Sequence, residues 1–182
     1  MKAPRYCADC ASELREEQRD GLLRLVCPAE GCGYVHWGNP TPVVAAIVEH
    51  RGKIILARNR AWPIKFYGLI TGFLERDEDP ADGVLREVKE ELDLDGAAPA
   101  LVGLYPFSRM NQLIIAYHVV AQGEVRLNEE LVDYRAMSLD QVKAWPAGTG
   151  FALRDWLRAT HNIDPPMLDF GSRKPASAEQ TS

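Results

Sequence analysis

Residues 72–94 read GFLERDEDPADGVLREVKEELDL, and the fold is decided in this stretch. Asp79 is a good N-cap residue, Pro80 suits the first helical position, and Asp82 sits where the helix dipole favours an acid. The spacing predicts a helix over 80–92. With about 100° between successive residues, Val84, Leu85, Val88 and Leu92 share one arc that faces a core. Glu87 and Glu91 are four residues apart and stack on one face, and Glu90 lies three from Glu87. Glu91 falls at the edge of the apolar arc, whereas a merely solvated charge face sits opposite it.

Stacking like charges has a cost. Exposed pairs at this spacing lose about 0.2–0.5 kcal/mol each. At a half-buried rim the repulsion reaches roughly 3 kcal/mol per pair, for an effective dielectric near 20 and about 6 Å. Hard divalent cations take clustered oxygen ligands and would offset it, and they make water a usable nucleophile near neutral pH. The residues therefore point to a metal-dependent hydrolase acting on a phosphorylated substrate. On the helix alone a second reading stands: a solvated face with Arg86 and Glu90 as an ordinary i,i+4 pair.

The wider pattern separates these readings. Gly72, five residues, Glu78, seven residues, then Arg86-Glu87-Val88-x-Glu90-Glu91 resembles the Nudix box, the signature of the Nudix hydrolase family. One position departs: Asp93 stands where that family usually has glycine. A left-handed residue is common just past a helix, and Asp tolerates that conformation better than most. A small stability cost and an intact metal site are expected there. The resemblance implies an α/β fold, a mixed β-sheet between helices in an α/β/α sandwich. It also implies roles. Glu87 and Glu91 match the main metal-ligand positions, Glu90 a ligand or water-orienting position, and Gly72 a backbone carbonyl ligand. Arg86 matches an arginine that orients the glutamates, and Glu78 a structural acid. A further glutamate often completes such a site. In Asn128-Glu129-Glu130-Leu131 the favoured candidate is Glu130, ahead of a strand-like stretch over 132–137; the competing reading is a surface acid on a loop. The implied cofactor is Mg²⁺ or Mn²⁺.

All four cysteines lie in the first 32 residues, as Cys7-x-x-Cys10 and Cys27-x4-Cys32. Two such knuckles predict a four-cysteine zinc site, closed and therefore structural. Disulfides are the competing reading; a reducing compartment favours thiolate and zinc. His36 follows closely, but four cysteines already fill a tetrahedron. No secretory signal pattern is present, and the longest apolar run, Val43 to Val48, is far too short to span a membrane, so a cytoplasmic setting without membrane contact is expected. Residues 1–40 carry five Lys/Arg and six Asp/Glu, and the whole chain has net charge −5. That leaves no basic footprint, so nucleic acid is not expected as a partner.

At 182 residues and 46% hydrophobic, the chain can bury one core plus a small satellite. Gly38-Asn39-Pro40-Thr41-Pro42 punctuates it. The expected organisation is a zinc ribbon over 1–40, a catalytic domain over 41–165, and a disordered tail over 166–182, polar from about Gly171. Val43–Val48 and Lys53–Arg58 read as strands around a turn at 50–52, Leu113–Ala121 as another strand, and 151–159 as a late helix.

A zinc ribbon before a Nudix-like domain resembles the NADH pyrophosphatase branch. That branch carries SQPWPFP shortly after the box. Here residues 103–112 read GLYPFSRMNQ and retain only Pro106-Phe107. Tyr105, Phe107 and Arg109 are candidates to stack on a base or meet a phosphate; core packing is the competing reading for the aromatics. The expected activity is hydrolysis of the diphosphate linkage of a small nucleoside diphosphate derivative, dinucleotide-like first (NADH or NAD⁺, ADP-ribose, FAD). The alternatives are a regulatory domain that binds nucleotides without turnover, and an RNA 5′-end processor. A homodimer is implied by the resemblance only.

Overall fold

The computed structural model describes residues 3–62 and 65–169. The chain divides into two compact units, one running to Thr41 and taking in Ser108–Gln112, the other formed by Pro42–Phe107 and Leu113 onward.

In the first unit, β1 (Arg15–Arg19), β2 (Leu22–Val26) and β3 (Val35–His36) form an antiparallel sheet in that order. Asp20 and Gly21 join β1 to β2 with φ of 49° and 78°. Two successive positive φ values match the twist of the flanking strands, which is why Asp-Gly suits this turn.

The second unit is built on β4 (Thr41–His50), β5 (Lys53–Asn59), β6 (Ile70–Phe73), α1 (Pro80–Leu92), β7 (Asp95–Phe107), β8 (Gln112–Gln122), β9 (Leu131–Met137) and α2 (Thr149–His161). The sheet is mixed, with strand order β7-β8-β4-β5-β9, and β6 also pairs with β4. β4 is a continuous buried run from Val43 to Val48, as expected of a strand covered on both faces. Its alternation sorts the core. Val44, Ala46 and Val48 join Val84, Val88 and Leu92 of α1 in one cluster. Ile47 joins Leu153, Trp156 and Leu157 of α2 in another, and Ala45 meets Ala152 in a third. The helices therefore cover opposite faces, giving the expected α/β/α layering.

α1 forms over the residues the spacing predicts. Asp79 is extended (φ −71°, ψ 134°) and its Oδ1 accepts from the Ala81 N–H at 2.8 Å. Asp93 closes the helix in the left-handed region (φ 55°, ψ 25°), its N–H donating to the Lys89 carbonyl. Lys89 Nζ in turn meets Asp93 Oδ1 at 2.8 Å. α2 closes similarly at Asn162 (φ 55°), and it begins against a tight corner. A Cβ at Gly150 would lie 2.0 Å from the Trp145 carbonyl oxygen. Backbone cannot give way as a side chain can, so Gly150→Ala should cost about 1–3 kcal/mol, read as a lower urea midpoint at unchanged slope.

The strand β7 has no counterpart among the expected elements, for its sequence DGAAPALVGLYPF is rich in Ala, Gly and Pro. The first residues of the stretch expected as a tail are tied to the second unit: Met167 bridges Ala144, and the Leu168 N–H donates to the Ala144 carbonyl at 2.7 Å. The remainder of that tail, from residue 170, lies outside the described residues. Among the described residues no helix is long and apolar enough to cross a membrane.

Candidate active site

The acidic face of α1 is organised by one cation. Arg86 Nε donates to Glu78 Oε1 at 2.7 Å, and its Nη2 to Glu78 Oε2 at 3.0 Å and to the Phe73 carbonyl at 3.2 Å. Its Nη1 donates to Glu87 Oε1 at 2.6 Å and to Glu90 Oε2 at 3.0 Å. One guanidinium thus ties the loop before the helix to two acids on it, the geometry a planar fork of donors allows. Arg86 holds the Glu78 carboxyl down at about 2, with a Glu75 backbone bond assisting. Glu78 Oε2 also accepts from the Glu75 N–H at 3.0 Å, which makes it the structural acid of the loop.

The buried acids behave oppositely. Burial raises Glu87, against the lowering effect of Arg86, with Glu90 and Glu130 adding to the rise. Burial pushes Glu91 up to about 8, reinforced by the charges of Glu87, Glu130 and Glu90. Glu91 is 6% exposed, and no hydrogen bond reaches its carboxylate among the described residues. An unpaired buried carboxylate among like charges is costly, and such groups concentrate at functional sites.

Gly72 completes the arrangement. It pairs with Val44 across β4 and β6, and a Cβ there would lie 1.8 Å from the Glu87 carboxyl carbon. The Glu87 carboxylate occupies the space a side chain would fill, directly against the Gly72 backbone. Donor chemistry and this cradle fit a hard divalent cation. The carboxylates are not drawn as tightly as the thiolates: among the described residues the group of ligating atoms within 4.8 Å of one another is the four cysteines.

The charge of Glu130 adds to the rise of Glu87 and Glu91, while its own side chain is exposed. Tyr105 and Phe107 are not brought to the acids of α1. Both pack on the cluster that contains Ala152 of α2, and the Tyr105 hydroxyl donates to Asp155 Oδ2 at 3.2 Å. Alternation along β7 turns them to the sheet face opposite α1, so packing, not base stacking beside the glutamates, accounts for them. Arg109 lies in the short 3₁₀ turn Ser108–Met110 and is exposed. The residues missed in the sequence are Asn128 and Arg60, which hold the Glu130 backbone from either side. Asn three residues before a strand is a turn signal that could have exposed the first; nothing in the pattern marks the second.

In the first unit, Cys7 Sγ lies 3.6 Å from Cys32 Sγ, and Cys10 Sγ 3.4 Å from Cys27 Sγ. No disulfide joins them. Four sulfurs around one zinc at about 2.3 Å would stand just under 4 Å apart, so the cluster fits a closed structural metal site. The Ser12 side chain and backbone hold the Cys10 thiol down at about 6, while Cys27 and Cys32 are raised by the neighbouring sulfurs and burial. His36 is not part of the group. The protein is expected to carry one zinc per chain by elemental analysis. Cys10→Ser should lose it, and with it the amide-exchange protection of residues 3–41, leaving the transition of the second unit in place.

The fold and this arrangement of acids are those of a Nudix hydrolase, and the NUDIX domain profile matches residues 39–159. The chain belongs to the NUDIX family. It is similar to the NAD-capped RNA hydrolase NudC of Stutzerimonas stutzeri, 29% identical over 150 residues, covering 81% of this chain and 53% of that protein. The Pseudomonas aeruginosa protein of the same name is 25% identical over 81% of this chain and 52% of its own length. The chain thus spans about half the length of the curated relatives it matches. Among solved structures, a NUDIX hydrolase from Nitrosomonas europaea superposes with TM-score 0.74 at 22% identity, covering 91% of this chain and 97% of that one. An ADP-ribose pyrophosphatase from Streptococcus suis gives 0.56 at 23% identity, over 71% and 98%. Both carry the fold alone.

The relatives overturn one expectation. Charge balance alone sets nucleic acid aside, yet proteins similar over 81% of this chain bear a name that specifies an RNA substrate. A hydrolase that acts at one RNA end needs few phosphate contacts, so a net charge of −5 is no ground for exclusion.

Proposed function

We propose that the chain hydrolyses the diphosphate linkage of a NAD-type dinucleotide, free or at the 5′ end of an RNA. One observation carries the reading: two carboxylates, the half-buried Glu87 and the buried Glu91, are held protonated more readily by burial and by the charges of Glu90 and Glu130, beside a glycine whose missing side chain makes room for Glu87. The similarity to the NAD-capped RNA hydrolases supports the choice of substrate.

Glu87, Glu90, Glu91, Glu130 and the Gly72 carbonyl would hold Mg²⁺ or Mn²⁺. When bound, such a cation neutralises the diphosphate and makes water a stronger nucleophile. The chain's own groups do the rest. Arg86 fixes the rotamers of Glu87 and Glu90 through its Nη1, so the acids are set before substrate arrives. Water attacks one phosphorus, the anhydride P–O bond breaks, and the bridging oxygen leaves with the other phosphate. The proton of the water passes to a carboxylate of the cluster. From NAD the products are nicotinamide mononucleotide and a 5′-monophosphate, either AMP or the RNA's own 5′ end.

The test is a hydrolysis panel with Mg²⁺ or Mn²⁺: NADH, NAD⁺, ADP-ribose, FAD, an NTP and a NAD-capped RNA, with products identified by mass. Turnover of NAD(H) or the capped RNA ahead of the others supports the reading. Preference for ADP-ribose, FAD or the NTP overturns the substrate assignment. Binding without turnover of any compound overturns the enzyme reading in favour of a regulatory domain.

A further inference from the structure

The segment that carries Glu130 is tied at more points than a surface loop requires. Asn128 Oδ1 accepts from the Glu130 N–H at 3.0 Å and from the Leu131 N–H at 3.2 Å. The Asn128 N–H donates to the Glu91 carbonyl at 3.3 Å, and the Arg126 N–H to the Leu92 carbonyl at 2.9 Å. From the other side the Arg60 N–H donates to the Glu130 carbonyl at 2.7 Å, and Arg60 Nε to the Glu129 carbonyl at 2.9 Å. A bulge between Arg58 and Asn59, where Asn59 pairs with Leu131, aims the end of β5 at this loop.

We infer that Asn128 and Arg60 are positioning residues for the cation site, a two-sided clamp that locks the backbone of Glu130 to the last turn of α1. The inference rests on the hydrolase reading above. Three facts favour it over an ordinary turn at the start of β9. Both backbone groups of Glu130 are committed, its N–H to Asn128 and its carbonyl to Arg60, while its carboxylate is left free of protein partners among the described residues. The clamp is anchored on the carbonyl of Glu91 itself, so Glu91 and Glu130 are linked through one residue, Asn128. The Arg60 guanidinium donates to a backbone carbonyl, that of Glu129, and among the described residues no ion pair joins it to Glu130, so it places the chain without neutralising the Glu130 carboxylate. Neither residue touches the reacting atoms. Both act through Glu130, by fixing where its carboxylate can reach and by sparing the entropy of ordering it when a cation arrives.

The test is Mn²⁺ affinity by calorimetry without substrate, alongside kcat, KM and thermal melting, on the full chain. Asn128→Ala should weaken Mn²⁺ binding about tenfold through two lost hydrogen bonds, lowering kcat with KM little changed. Asn128→Asp, which keeps the acceptor, should restore the affinity. Arg60→Ala should act in the same direction by a smaller factor, and it stands in for Asn128→Ala should that variant fail to fold. On a Glu130→Gln background neither substitution should weaken Mn²⁺ binding further, because the residue they place is already disabled. Additive losses on that background, or a lowered melting temperature with unchanged Mn²⁺ affinity, overturn the clamp while leaving the hydrolase reading intact. Wild-type protein that neither binds Mn²⁺ nor hydrolyses any substrate overturns that reading and the clamp with it.

Discussion

Glu91→Gln should leave a protein that is more stable above neutral pH and close to inactive. An unfolded glutamate titrates near about 4.3; in the fold, burial first and then Glu87, Glu130 and Glu90 push Glu91 up to about 8. The sign follows from that direction. Below the unfolded value both states hold the proton and nothing is lost. As pH rises through the folded value the native state must ionise a buried carboxylate, and the stability that depended on the proton disappears. The penalty is on the order of a few kcal/mol once solvent relaxation is allowed for. Without added divalent cation, wild-type melting temperature should therefore fall between pH 5 and pH 9, and Glu91→Gln should flatten the profile. At the alkaline end the variant should melt roughly 5–10 °C higher. Mg²⁺ should stabilise the wild type and narrow that gap, since a ligand of the native state adds its binding free energy. Turnover should fall at least about a hundredfold, the usual result of removing one charged group that acts in a transition state. Parallel melting profiles for the two proteins from pH 5 to 9 would sink this account of Glu91.

The second large effect is again activity lost with stability kept, here by displacing a carboxylate and not by neutralising one. In Gly72→Ala the new Cβ meets the Glu87 carboxyl carbon at 1.8 Å and Oε1 at 1.9 Å. The obstacle is the far end of a flexible side chain, so the clash is relieved by rotating Glu87 away, at about 0.5–1.5 kcal/mol. That rotation takes Glu87 off Arg86 Nη1 and out of its place against the Gly72 backbone. Melting should shift by only a few degrees, about 2–4 °C per kcal/mol at this size, while kcat drops by roughly a hundredfold and weak Mn²⁺ binding becomes measurable. Wild-type kcat in Gly72→Ala would mean that the placement of Glu87 is irrelevant to the chemistry.

These effects were legible to different degrees in the sequence. α1 was readable to the residue, because its cap, proline, apolar arc and acids are all local and agree with one another. Asp93 was readable too: the one departure from the resembling pattern falls where the helix reverses, and it adopts φ 55° without disturbing the acids. β7 was not, since Ala98 turns to φ 44° and Pro99 interrupts the alternation that would have announced a strand. Tyr105 and Phe107 were left with two readings for a related reason. Their chemistry suits a nucleobase, but which sheet face they take depends on the register of β7, a long-range property that composition does not encode. Charge counting failed in the same way: a net charge averages over surface that a substrate end never touches. The Glu130 clamp was half legible, with Asn128 signalled by its turn chemistry and Arg60 brought in only by the pairing of β5 with β9.

β4 serves two neighbours in succession. Val43 to Ala46 pair with the strand that carries Gly72, and Val48 to His50 pair with β5. It is in effect the ruler on which the whole site is measured. Lengthening the Arg51-Gly52 turn, which lies past the last rung, leaves every distance on that ruler unchanged. Deleting a single residue within 43–46 would exchange the side chains of the two core faces and carry Gly72 off the carboxylate it accommodates, so a fault in a stretch with no chemistry of its own would silence the enzyme and unseat the core together. Natural length variation in this domain should accordingly gather at the β4–β5 turn and be absent from the first half of β4.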